Sequence, residues 1–180
     1  MNIVLFDGEE WENFLPLTFT KPVAAVRMGI LTFVERWEKI TNKKVSFLTQ
    51  NYLSEKFPAD FQSENLFINP SFFPSKKLID TILNLNLGQS IVHKNQLVAV
   101  KTIEQTPTIT VDVIDFDEEI IHIQHSWDLF TYNFEAIEFD FDLVTEGRTS
   151  QPISPTNGVL NPDRIFIEEG AFVEFATLNA

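Results

Sequence analysis

The chain has 180 residues, 44% of them hydrophobic, and carries a net charge of −13 with an estimated pI of 4.5. This length and apolar content suit one ordinary domain, or one domain followed by the start of another. The absence of cysteine excludes disulfides, thiolate metal sites and cysteine nucleophiles.

Targeting and polyanion-binding signals are also missing. Lysine and arginine never form a run longer than two residues, so we do not expect nucleic-acid binding. The N-terminus lacks the basic and apolar regions of a signal peptide. No stretch of about 18 consecutive apolar residues occurs, so no membrane span is expected. We therefore expect a cytoplasmic protein without a membrane partner.

The first part of the chain alternates short apolar runs with a helical pattern. Strands are predicted over residues 2–6, 45–48 and 66–68, and an amphipathic helix over residues 30–40. The first strand ends at the turn signal Asp7-Gly8, and Asn42 closes the helix. This strand–helix–strand order favours an α/β fold with a parallel sheet and helices on its faces.

The second part of the chain continues with mixed signals. The pattern predicts a helix over 76–87 with Gly88 as its C-cap, a β-hairpin of 90–93 and 96–100, a strand over 108–114, and partial helix over 128–141. In the last of these, Leu129, Phe130, Phe134 and Ile137 are spaced to face a core. The polar segment 145–161 is typical of a linker.

The C-terminal segment changes character. Apolar residues recur about every six positions at Ile167, Val173 and Leu178, which is typical of the hexapeptide coils of a left-handed β-helix. A single coil cannot bury its own apolar face. We therefore expect that this segment is the first part of a longer β-helix, of which the sequence contains only the beginning. The expected domains are 1–160, an α/β domain, and 161–180, the start of the β-helix. A single exposed strand pair is the alternative.

Several motifs follow one another in a characteristic order. They are IVLFDG at 3–8, LPLT at 15–18, TKP at 20–22, GIL at 29–31, WDLF at 127–130, GRTSQPIS at 147–154 and IEEGA at 167–171. With these motifs the chain resembles sugar nucleotidyltransferases over nearly its whole length. It is similar to a divergent branch related to bifunctional N-acetylglucosamine-1-phosphate uridyltransferases and glucose-1-phosphate thymidylyltransferases.

The resemblance implies a fold, a reaction and partners. The implied fold is a Rossmann-like nucleotidyltransferase, a mixed sheet with helices on both faces, followed by a left-handed β-helix. The implied reaction joins a nucleoside triphosphate to a sugar 1-phosphate with Mg²⁺ as cofactor and releases pyrophosphate. The ligand would be a nucleotide or sugar phosphate, and the full-length protein would form a homotrimer through the β-helix.

The resemblance also implies site residues. Lys21 and Arg27 would contact phosphate as catalytic residues, Gly8 and Thr18 would line the nucleotide side, and Arg148 would hold a phosphate or sugar. A structural role is the alternative for each: a turn glycine for Gly8, solvated charges for Lys21 and Arg27, and a hydrogen-bonding loop between domains for Arg148.

The chain departs from the family pattern at three places. The usual Gly-x-Gly-Thr-Arg loop is replaced by residues 8–14, which carry three glutamates and no arginine. Pro22 is followed by Val23 instead of lysine, and the usual Gly-Asp metal site corresponds to Asn69-Pro70. No metal ligands are therefore assigned, and the histidines near the acidic segment 112–119 are not expected to converge with it.

Two functions stay open from the sequence. The first is nucleotidyl transfer by a rearranged site. The second is a non-catalytic ligand-binding or structural module attached to a β-helix acyltransferase-like domain. A pair of carboxylates poised to hold Mg²⁺ would favour the first.

Overall fold

The protein, seen in a computed structural model that describes residues 2–180, is an α/β fold built on a six-stranded mixed sheet. Its strands are β1 (Asn2–Phe6), β2 (Ser46–Leu48), β3 (Asn65–Ile68), β4 (Gln89–His93), β5 (Gln96–Thr102), β6 (Asp112–Asp115), β7 (Gly158–Leu160) and β8 (Thr177–Asn179). Its α-helices are α1 (Glu10–Asn13), α2 (Phe33–Thr41), α3 (Lys76–Leu83), α4 (Asp128–Thr131) and α5 (Asn133–Thr145). Short 3₁₀ turns lie at Leu17–Phe19, Val23–Ala25, Asn51–Leu53 and Pro162–Arg164.

The large sheet has the strand order β2-β1-β3-β5-β4-β6. Strands β1, β2 and β3 run parallel, and so do β4 and β6, while β5 is antiparallel to both of its neighbours. The hairpin between β4 and β5 turns at Lys94 and Asn95, which have φ values of 49° and 65°. Two successive residues with positive φ match the turn that the twist of a two-residue hairpin requires. The hairpin confirms the prediction from the sequence pattern. The mixed sheet agrees with the fold that the resemblance implies and not with the parallel sheet that the strand–helix alternation favours.

The two faces of the sheet are covered differently. Ile3, Leu5 and Leu66 share a core with α2, through Trp37, and with α3, through Leu78. The opposite face packs in a second cluster whose buried members are Val4, Phe6, Phe67 and Val100, with Leu48, Phe61 and Leu97 against them. The sequence predicted helices on both faces, but this second cluster draws on strands and loop residues among the described part of the chain.

Helix α2 begins at Phe33, three residues later than predicted, and ends beside Asn42 as predicted. The Thr32 side chain accepts a hydrogen bond from the Glu35 backbone N–H, and the Glu35 carboxylate accepts one from the Thr32 backbone, which forms a capping box. Asn42 ends the helix in the left-handed region. Helix α3 is shorter than predicted, because its C-cap is Asn84 and Gly88 lies beyond the helix in a turn before β4.

The inner face predicted for residues 128–141 is wrong at three of its four positions. Leu129 packs against a buried cluster, but Phe130 in α4 and Phe134 and Ile137 in α5 are exposed, and α5 instead buries Ala136 and Asp140. The apolar spacing predicts a helix, but a buried ion pair between Asp140 and Arg36 fixes its rotation. A buried charge must face its partner, so the ion pair outweighs the burial of two aromatic rings.

The chain divides into two compact units, one ending at Asp140 and one comprising Phe141–Ala180. In the second unit, β7 and β8 pair in parallel with Gly158 opposite Thr177 and Leu160 opposite Asn179. Asn157 supports this pair, since its side chain donates to the Val173 carbonyl and accepts from the Ala176 N–H. None of the helices among residues 2–180 has both the length and the apolar character needed to cross a bilayer.

Candidate functional site

A cavity of about 290 Å³ lies at the carboxyl ends of β1 and β3, beside the turn of the β4–β5 hairpin. It is lined by Phe6, Gly8, Glu9, Glu10, Asn69, Asn95, Gln96, Leu97, Pro107, Thr108 and Ile109. The carboxyl edge of parallel strands is where open α/β sheets bind their ligands. The wall combines amides and carboxylates with apolar side chains, as small-molecule sites commonly do.

Glu10 is the most deeply buried charged group of this cavity, at 4% exposure. Its carboxylate accepts a hydrogen bond from His122 Nε2 at 2.5 Å and longer ones from Asn69 Nδ2 at 3.3 and 3.4 Å. Burial alone would raise the pKa of Glu10, but the hydrogen bond and charge of His122 outweigh it and hold the pKa below its ordinary value. Glu10 is therefore ionised at neutral pH.

His122 reaches Glu10 because the backbone on either side of it is fixed. The Phe73 N–H donates to the Ile121 carbonyl, and the Ile123 N–H donates to the Ser71 carbonyl, so this segment pairs with the chain just after β3. The His122 ring stacks on Phe72 with 4.0 Å between the ring centroids. Ring stacking and paired backbone leave the imidazole little freedom to turn away from the carboxylate.

Asp7, at the end of β1, is a second perturbed carboxyl group. Its two oxygens accept hydrogen bonds from the Val23 N–H at 2.9 Å and the Thr49 hydroxyl at 2.5 Å. Burial raises the pKa of Asp7 to about 6, against these two hydrogen bonds, and the nearby charge of Glu10 raises it further. Two neighbouring carboxyl groups with pKa values displaced in opposite directions mark a candidate functional site.

Gly8 lies at the centre of this arrangement. A Cβ atom there would overlap Glu10 Oε2 and would lie 2.7 Å from Asn69 Nδ2. Only a residue without a side chain lets the Glu10 carboxylate pack against the backbone at the end of β1. Of the residues predicted for the nucleotide side, Gly8 lines the cavity, whereas Thr18 is buried and donates its hydroxyl hydrogen to the Trp11 carbonyl.

The two predicted phosphate-binding residues lie outside the cavity lining. Arg27 is exposed, donates to the Ile30 carbonyl and pairs with Glu35 at 3.2 Å, beside the start of α2. Lys21 is half-buried and directly precedes the Pro22 turn. Arg148 belongs to the second unit, where it forms an ion pair with Glu168 and its guanidinium lies 4.9 Å from the Phe166 ring centroid.

Comparison with known families decides the relationship of the chain. The family model described as sugar nucleotidyl transferase matches residues 3–149. The chain belongs to the sugar nucleotidyl transferase family. The expected family membership is thus confirmed, and the α/β domain is a sugar nucleotidyl transferase-like domain. No curated protein matches the chain at a significant level.

Enzymes of this kind usually use Mg²⁺, and the residues at this site do not fit it. Among residues 2–180, no three His, Asp or Glu side chains are arranged to hold a metal ion together. The amide oxygen of Asn69 already accepts hydrogen bonds from the backbone and hydroxyl of Ser71, at 3.1 and 2.6 Å. The Glu10 carboxylate is taken up by His122 and Asn69, so the oxygen ligands that Mg²⁺ prefers are occupied by hydrogen-bond donors.

The contact between Glu10 and His122 in this sugar nucleotidyl transferase domain was not predicted from the sequence. Glu10 and His122 lie 112 positions apart, and His122 lies outside every regular helix or strand, so no periodicity links them. Three glutamates in the loop after β1 were visible as a departure from the family pattern. The burial of Glu10 among them could not be predicted, because it depends on a histidine from a remote segment.

Proposed function

We propose that this domain transfers a nucleotidyl group from a nucleoside triphosphate to a sugar 1-phosphate. In this reaction an oxygen of the sugar phosphate attacks the α-phosphorus, the bond to the β-phosphate oxygen breaks, and pyrophosphate leaves with its electron pair. The observation that carries the proposal is the cavity at the carboxyl edge of β1 and β3 in a chain of the sugar nucleotidyl transferase family.

The cavity wall suits the nucleoside part of such a substrate. Asn95 and Gln96 offer amide donors and acceptors that can pair with the edge of a base, and Leu97, Pro107 and Ile109 offer apolar surface for its ring. Gly8 allows a close approach to the backbone of the strand end. In this proposal Thr18 supports the same side by fixing the Trp11 carbonyl.

Lys21 and Arg27 are the proposed contacts of the phosphates. Transfer between phosphates depends on positioning and on neutralising charge, and cations near the substrate supply both. Arg27 would have to exchange its exposed pair with Glu35 for the ligand, which costs little because exposed ion pairs contribute about 0–1 kcal/mol.

The test is a pyrophosphate-release assay on the whole chain. Each nucleoside triphosphate is paired with a panel of sugar 1-phosphates, with and without Mg²⁺, and release is compared between wild type, Lys21→Ala and Arg27→Ala. We expect release with one pair and a loss of about tenfold to a thousandfold in each variant, the range for removing one charged contact. Lys76→Ala, which removes an exposed lysine from α3, is the matched control and should equal wild type.

Absence of release from folded protein with any pair would contradict the proposal. A second function is then favoured by a specific observation, namely that none of the described residues lining the cavity is lysine or arginine whereas Glu9 and Glu10 both line it. This function is a non-catalytic module that binds a ligand or supports a neighbouring domain. Ligand binding by calorimetry without turnover would support it.

We further propose that residues 161–180 begin a left-handed β-helix through which the full-length protein forms trimers. The parallel pairing of β7 with β8, 19 residues later, is compatible with successive coils of a solenoid. Light scattering that finds only monomer for a chain with further hexapeptide repeats would contradict the trimer.

A cytoplasmic location likewise stays a proposal.

A further inference from the structure

A buried carboxylate, that of Glu10, lies in the cavity at the carboxyl ends of β1 and β3. The Glu10 carboxylate lies against the backbone of Gly8 and is bonded to Asn69 Nδ2 and His122 Nε2. Burying a carboxylate costs several kcal/mol unless donors replace its water. An apolar side chain would fill the same space without that cost, so the charge at this position requires a reason beyond packing.

The donors around Glu10 are those that would recognise a phosphate oxygen. Asn69 offers an amide hydrogen, and His122 offers a ring hydrogen and can carry a positive charge. None of the described cavity-lining residues is lysine or arginine, and His122 is the basic side chain bonded to the cavity-lining carboxylate of Glu10. As long as Glu10 holds both donors, its negative charge also repels a phosphate that enters the cavity.

We propose that the Glu10 carboxylate is an internal anion at the position of a ligand phosphate, and that a phosphorylated ligand binds by displacing it from Asn69 and His122. This inference rests on the proposed function, because it takes the ligand to be phosphorylated. Displacement removes a negative charge from the cavity and frees two donors in one step. The domain therefore holds its phosphate site closed until the ligand competes for it.

The backbone around Glu10 allows the side chain to leave without unfolding the loop. Phe14 is fully buried and the Trp11 carbonyl is held by Thr18, so the residues after Glu10 are anchored. Glu9, directly before it, is exposed and makes no side-chain cap to the four-residue helix α1. Rotation about the Glu10 side-chain bonds away from Asn69 and His122 is therefore sufficient, and the fold keeps its core.

The experiment measures binding of inorganic tripolyphosphate by calorimetry at pH 7.5. Glu10→Ala should bind it at least about tenfold more tightly than wild type, since one repelling charge is removed and two donors are freed. Glu12→Ala removes the charge of an exposed neighbour on the same helix and is the matched control, expected to stay within about twofold of wild type. The double variant Glu10→Ala/His122→Ala should bind more weakly than Glu10→Ala, because it lacks the donor that His122 supplies.

Folding is checked by near-UV circular dichroism, and Glu10→Gln provides a second variant that keeps the shape of the side chain. Its amide still competes for His122 but carries no charge, so we expect an intermediate gain. Binding by Glu10→Ala and Glu10→Gln no tighter than by Glu12→Ala would overturn the inference, and so would a gain that removal of His122 leaves undiminished.

Different results would contradict this inference and the proposed function. Tripolyphosphate binding needs no turnover, so a gain in Glu10→Ala without pyrophosphate release from wild type would overturn the transfer reaction alone. Release from wild type without any gain in Glu10→Ala would overturn the role of Glu10 alone.

Discussion

Asp7→Asn should stabilise the protein at high pH, and the pH dependence follows from the position of the carboxyl group. Burial raises the pKa of Asp7 from 3.8 to about 6 in the folded state. A raised pKa means that the folded state holds the proton more tightly than the unfolded chain. The stabilisation is complete below pH 3.8 and is lost as the pH rises through 6.

The magnitude follows from the size of this shift. One pKa unit corresponds to 1.36 kcal/mol, so wild type loses at most about 3 kcal/mol between these two pH values. Asparagine cannot ionise and keeps both contacts, because its oxygen can accept from the Val23 N–H and its amide can donate to the Thr49 hydroxyl oxygen. We expect Asp7→Asn to exceed wild type by about 1–3 kcal/mol at pH 8 and to equal it near pH 4.

Urea unfolding at pH 4, 5, 6 and 8 measures this difference directly. Asp7→Ala is the control, since it also removes the charge but leaves the buried Val23 N–H without its acceptor, which costs about 1–3 kcal/mol and offsets the gain. A variant Asp7→Asn that is no more stable than wild type at pH 8, or whose advantage does not change with pH, would refute the reasoning.

Two further predictions concern the contact between α5 and the loop before α2. Asp140→Ala should lower the free energy of unfolding by about 3–5 kcal/mol in urea titrations, because it leaves the fully buried Arg36 without the carboxylate of its ion pair. Removing both charges should cost less than the sum of the two single changes. Gly29→Ala should destabilise by more than Gly88→Ala: both have positive φ, but a Cβ at Gly29 would lie 2.8 Å from the Ala136 carbonyl carbon, whereas one at Gly88 meets nothing within 4 Å. Equal melting temperatures for the two alanine variants would contradict this packing argument.

Features determined by neighbouring residues could be predicted from the sequence. The first strand, the β4–β5 hairpin and helix α2 follow from apolar spacing and turn residues, and the structure has all three. The length of α3 was overestimated, since Asn84 ends the helix although the apolar pattern continues to Leu85 and Leu87. Periodicity reports where a helix can form, and the local backbone decides where it stops.

Features determined by distant residues could not be predicted. The inner face of α5 depends on an ion pair between residues 104 positions apart, and its apolar pattern indicated the opposite face. The candidate site shows the same limit, because the family resemblance implied Gly8 as a site residue whereas Glu10 and His122 were not paired. A contact between a loop and an irregular segment leaves no periodic signal in either of them.

The charge of Glu10 offers one explanation for the unusual loop after β1 and for the missing cations of the family pattern. A loop with three glutamates and no arginine looks unsuited to phosphate, yet one of these glutamates is held by a histidine and an amide that phosphate could use. In our proposal, Lys21 or Arg27 brings a positive charge to the ligand from outside the cavity lining. In our proposal, moving Glu10 removes a negative charge from the cavity wall itself and frees the ring N–H of His122, and charge interactions strengthen as distance and water decrease. In our proposal, the loop that departs most from the family pattern is the part of the chain that controls ligand access to Asn69 and His122.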